Sequence, residues 1–97
     1  MLAWTKQTRK DQTGKVICES LLAELPGWGR VSIHTHIHYP GGLFLDCDSL
    51  GIEMHPLGQA ALDDAIQPAE AKLAQALEQY AAWCREGLAA LQKAGKD

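Results

Sequence analysis

Ninety-seven residues, 46% of them apolar, suffice for one compact domain and leave no room for a second core. The formal charge of −3 is unevenly spread: residues 1 to 15 carry +3, through Lys6, Arg9, Lys10 and Lys15 against Asp11, which leaves −6 for residues 16 to 97. No lysine or arginine stands between Arg30 and Lys72, which excludes a broad basic face for nucleic acid and leaves only the N-terminal stretch to touch phosphate.

The opening MLAWTKQTRK turns polar too early for a secretory signal, and no apolar run reaches the roughly 20 residues a membrane helix needs. A soluble, cytoplasmic chain without a membrane partner is expected. Cys18, Cys47 and Cys84 are odd in number, far apart and outside any CxxC or CxxH spacing, so they read as reduced, small apolar residues. No catalytic nucleophile is marked.

Residues 1 to 12 lack a sustained period and read as a basic flexible arm or an irregular strand, with Leu2 and Trp4 able to dock on the body formed by residues 13 to 97. From Thr13 to Leu25, the apolar residues Ile17, Cys18, Leu21, Leu22 and Leu25 fall at helical spacing. An amphipathic helix is predicted, capped by Asp11 or Thr13 and ended by Pro26-Gly27.

Beyond the PGWGR loop the period becomes two. Val31, Ile33, Thr35, Ile37 and Tyr39 alternate with Ser32, His34, His36 and His38, so one face of a strand is apolar and the other rich in imidazole. A hairpin turning at Pro40-Gly41-Gly42 would set Tyr39 against Leu43, Ile37 against Leu45 and Thr35 against Cys47, with every apolar side chain on one face. The same register sets His36 opposite Asp46 and His34 opposite Asp48. A turn at Ser49-Leu50-Gly51 returns a third strand with Ile52 and Met54 inward, Glu53 and His55 outward.

Residues 57 to 67 read as a short helix. From Ala69 to Ala94, Leu73, Leu77, Tyr80, Cys84, Leu88 and Leu91 mark a long one, too long for the width of so small a domain. The expected architecture is α+β in two layers: a three-stranded antiparallel meander with an N-terminal helix and one short plus one long C-terminal helix. The order helix, three strands, helix resembles the topology of double-stranded RNA-binding domains. Where that topology implies a basic cluster before the last helix, however, this chain has DDAIQPAEAK, and no RNA-binding function is carried over.

The outer sheet face collects His34, His36, His38, Asp46, Asp48, Glu53 and His55, and Trp28 between two glycines reads either as an interface anchor or as a lid on the core. Two functional classes are expected. The first is a small acidic non-enzymatic binding protein, an adaptor or inhibitor of the phage antidefence type, docking on a basic protein surface of nucleic-acid-handling machinery. The alternative is a small metal-binding protein or metal-dependent enzyme, with zinc or another divalent ion held by His34, His36 and Asp46, since a His-x-His pair and a facing carboxylate supply a suitable donor set. A homodimer seam along Leu77, Trp83, Cys84, Leu88 and Leu91 is a third use of the same chain.

Overall fold

The computed structural model describes residues 1–36, 39–58 and 61–95. Five strands, β1 (Thr5–Lys10), β2 (Val16–Leu25), β3 (Gly29–His36), β4 (Tyr39–Cys47) and β5 (Ile52–Gly58), form one antiparallel sheet in chain order. Two 3₁₀ turns, Asp48–Leu50 and Leu62–Ala65, lead respectively into β5 and into a single helix, α1 (Ile66–Ala94). The fold is α+β, but the expected three-stranded meander flanked by three helices is replaced by five strands and one helix. The RNA-binding-domain topology goes with it.

The N-terminal helix expected over Thr13–Leu25 is instead the hairpin partner of β1. Two properties of the segment account for this. Val16 and Ile17 are β-branched, and Leu21, Ala23 and Leu25 alternate toward the core while Leu22 and Ser20 take the other face. Asp11, expected to cap a helix, does equivalent chemistry in a turn: its Oδ1 accepts the Thr13 N–H at 2.8 Å, the Thr13 hydroxyl at 2.6 Å and the Lys15 N–H at 3.0 Å. Chiefly through the Thr13 hydroxyl, and against the opposing effect of desolvation, these bonds hold the Asp11 carboxyl below its usual value.

Pro26 and Gly27 close the β2–β3 hairpin, with Gly27 at φ +82° and the Trp28 N–H donating to the Leu25 carbonyl at 2.9 Å. That is the arrangement of a type II turn, which needs a residue tolerant of positive φ in its third place.

The β3–β4 hairpin keeps the expected face but not the expected register. Ile33 pairs with Leu45, Thr35 with Leu43 and His36 with Tyr39, and Pro40, Gly41 and Gly42 are taken up as a bulge inside β4 rather than as the turn. The connection passes through residues 37–38, outside the described set, so the pairing proposed for Ile37 and His38 lies outside it too. Three bulged residues shift the pairing by an odd number, which returns Leu43, Leu45 and Cys47 to the core side despite the earlier turn. Tyr39, expected inward, joins the outer face instead.

The core lies between the inner sheet face and the first half of α1: Leu21, Val31, Ile33, Leu43, Leu45, Cys47, Leu50 and Ile52 meet Ala65, Ala69 and Leu73. The short helix expected over 57–67 is not formed: Leu57 and Gly58 complete β5, Leu62–Ala65 make a single 3₁₀ turn, and α1 begins at Ile66. Pro68 sits in its first turn, where a missing N–H costs no hydrogen bond. With 29 residues, α1 is about 43 Å long. It makes the molecule 70 × 21 × 21 Å, with a radius of gyration of 17.6 Å where a compact chain of this length has about 13 Å. Among the described residues no helix is long and apolar enough to cross a membrane.

Candidate functional site

Two surfaces carry the residues singled out from the sequence. The first is the outer sheet face. His34 pairs with Phe44 across the ladder, which makes Asp46 its diagonal neighbour, and His34 Nε2 bonds the Asp46 carboxylate. Nδ1 of the same ring faces the Thr35 carbonyl at 3.0 Å. Both ring nitrogens thus face oxygens of the sheet.

The other oxygen of Asp46 accepts the Met54 N–H at 2.9 Å. This bond reaches across a second bulge: Leu45 pairs with His55 and Cys47 with Ile52, so Glu53 and Met54 together oppose Asp46, and Met54 takes φ +49°. A non-glycine residue at positive φ is strained and persists only where its surroundings hold it. Here Asp46 is that holder.

The proposed site residues are therefore distributed differently from the expected cluster. His34 and Asp46 meet. His36 faces Tyr39 and Phe44, with ring centroids 5.3 and 6.4 Å away, and Tyr39 and Phe44 lie 5.7 Å apart, so this end of the face is an aromatic patch. Asp48 is exposed in the 3₁₀ turn, and Glu53 is exposed in the bulge. The bulge turns His55 from the outer face to the β5–α1 side, where it joins Ile52, Met54, Lys72, Tyr80 and Trp83 around an open groove of about 610 Å³. His38 lies outside the described residues. For the metal set His34, His36 and Asp46, both oxygens of Asp46 and both nitrogens of His34 are taken up within the sheet, and no three of His, Cys, Asp and Glu converge among the described residues.

The second surface is α1. Ala69 and Leu73 are buried in the core, and Ala76, Leu77 and Tyr80 pack on its margin. Trp28 lies against this margin, its ring 5.1 Å from Tyr80, with Trp83 a further 5.4 Å from Tyr80. Trp28 thus covers the end of the core, as a lid does. Past Tyr80 the sheet stops and the helix does not.

Residues 81–94 extend about 21 Å farther as bare helix. Their stripe repeats the one beneath the body: Leu73 and Cys84, Leu77 and Leu88, Tyr80 and Leu91, and Ala76 and Gly87 are each eleven residues apart. Eleven residues are close to three full turns, so the second set continues the first along the same face. The first set is covered by the sheet. In the second, Leu88 is 57% exposed and Leu91 72%, with Trp83 at its flank 54% exposed and Cys84 exposed between them. Of the expected seam Leu77 packs on the core margin and Trp83 borders the β5–α1 groove beside Tyr80, while Cys84, Leu88 and Leu91 stand free of the core. Sequence reading found these residues but not the point where cover ends, because that depends on the sheet's size, which the misread β2 concealed.

No protein-family model, curated protein or solved structure matches this chain.

Proposed function

We propose that this is a small acidic binding protein that acts by protein–protein contact, with the free half of α1 as its docking element. The observation that carries the reading is the repeated stripe: the set Leu73, Ala76, Leu77 and Tyr80 packs on the protein's own core, and the equivalent set eleven residues on, with a tryptophan beside it, meets no core among the described residues. A contiguous apolar surface rimmed by polar residues is the usual mark of an interaction site, and tryptophan is the residue most enriched among interface anchors. The −6 carried by residues 16 to 97 lies on the body, since Arg85, Glu86 and Lys93 of the free half sum to +1, which leaves the docking element itself close to neutral.

The test is a photo-crosslinking side chain at Gln92, which borders the stripe, in the otherwise intact chain. Irradiation with purified chain and with cell extract is expected to give a discrete polypeptide adduct, either with another copy or with another protein. Unlabelled wild type should suppress it and Leu88→Glu should not. Adducts that wild type cannot suppress, or quenching by solvent alone, would overturn the reading.

A further inference from the structure

We infer that the occupant of the bare arm is a second copy of the same arm, packed antiparallel about a two-fold axis that passes between Gly87 and Leu88. This rests on the docking role just proposed and names the partner. The exposed stripe Cys84, Gly87, Leu88, Leu91 has spacings of three, one and three, which read the same in either direction. An antiparallel copy centred on 87.5 therefore presents apolar positions at matching heights: Cys84 meets Leu91 of the other copy at both ends, and Gly87 meets Leu88 of the other copy on either side of the axis. A closed pair of this kind uses one patch twice and leaves none over.

Three further features fit that occupant. The bare segment has the right length: with this centre, residue 95 of one arm lies level with Tyr80 of the other, where the body begins, so each helix ends as it reaches the other's sheet. Gly87 has nothing within 4 Å of the position a Cβ would take, and its lack of a side chain at the crossing point lets the two backbones approach, as small residues do where helices cross closely. Trp83 lies about 80° from the middle of the stripe, on the same flank as Ala90 and Ala94 at about 100° and 60°. Antiparallel pairing sets the indole over the small alanines of the other copy at each end.

Charge permits the pairing. The arm's ionic residues, Arg85, Glu86 and Lys93, all lie about 120° or more from the middle of the stripe, so joining two copies brings no like charges together at the seam. Two arms of this length bury on the order of 1,000 Å², at the low end for specific complexes, which places association in the micromolar range.

The experiment is sedimentation of the full chain from about 1 to 200 µM, a range chosen to bracket that affinity. Wild type is expected to pass from monomer to dimer. Leu88→Glu should remain monomeric with an unchanged circular dichroism spectrum, since residue 88 does not touch the core, and Ala89→Glu, on the far side of the helix, should dimerise as wild type does. Orientation is read from thiols in a Cys18→Ser background: mild oxidation should link Leu91→Cys through native Cys84, and should leave the chain without that substitution unlinked. Wild type that stays monomeric at the highest concentration would overturn the inference, while a suppressible crosslink from Gln92 to another protein would leave the docking role standing. Linkage of Cys84 to Cys84 without the added thiol would overturn the antiparallel arrangement. A Leu88→Glu chain that still dimerises would move the contact off the arm.

Discussion

Asp46 holds two segments of chain at once. One oxygen takes the His34 ring on β3 and the other takes the Met54 amide on β5, so the carboxylate spans three adjacent strands and fixes a bulge whose backbone is strained at Met54. Its place beside a histidine gives it the look of a catalytic or metal-ligating group, yet each of its oxygens is engaged by a neighbouring strand. Asp46→Ala removes both bonds and leaves the Met54 N–H unsatisfied at a partly buried position. A loss of about 2 kcal/mol is expected, read as a lower urea midpoint with unchanged slope. Asp48→Ala, at an exposed position with no such bonds among those described, should stay within about 0.5 kcal/mol of wild type. Part of this arrangement was visible in the alternation of His34 and His36 with Val31 and Ile33, because period two fixes the face. The partner was not, because bulges at 40–42 and 53–54 shift the ladder without leaving a periodic trace. Asp46 was matched to His36 by a register in which 40–42 made the turn and not a bulge.

At the level of the element, α1 and β2 teach opposite lessons. The long helix was legible almost to its ends, since its Leu, Tyr and Cys positions hold one phase over about five turns and no strand reading accommodates them. The segment Val16–Leu25 was not, because seven apolar residues in ten satisfy a helical stripe and a two-faced strand alike, and tertiary pairing with β1 and β3 made the choice. α1 itself divides by what it touches, and stability should divide likewise. Leu73→Ala empties a buried site and should cost about 2–5 kcal/mol. Leu91→Ala, measured by denaturant at concentrations low enough to keep the chain monomeric, should stay within about 0.5 kcal/mol of wild type, because that side chain has no intramolecular core contact. Equal losses at the two positions would mean that the tip folds back on the body.

For the whole molecule, the decisive contact joins the beginning of the chain to the helix. One oxygen of Glu70 accepts both the Leu2 N–H and the Trp4 indole N–H, each at 2.8 Å, pinning residues 1–4 against α1. Burial pushes this carboxyl up, but the Trp4 indole, the Leu2 amide and the N-terminal ammonium outweigh it and hold the group below its ordinary 4.5. A group depressed in the folded state stabilises fully above its unfolded value, and that contribution is lost as pH falls through the folded one. The clamp should therefore hold at neutral pH and release in acid below about 4.5, seen as a change in the Trp4 indole resonance that Glu70→Gln abolishes. The clamp also bears on how the chain assembles. Each strand lies beside its neighbours in sequence, so the sheet closes through successive short loops, a low contact order associated with rapid folding. Leu2 and Glu70 are 68 residues apart, and joining them carries the larger entropic cost of a long loop unless the meander has already drawn the ends together. The sheet should therefore zip up first and the N-terminal latch close last, with the Trp4 fluorescence change trailing the far-ultraviolet signal of the sheet in refolding.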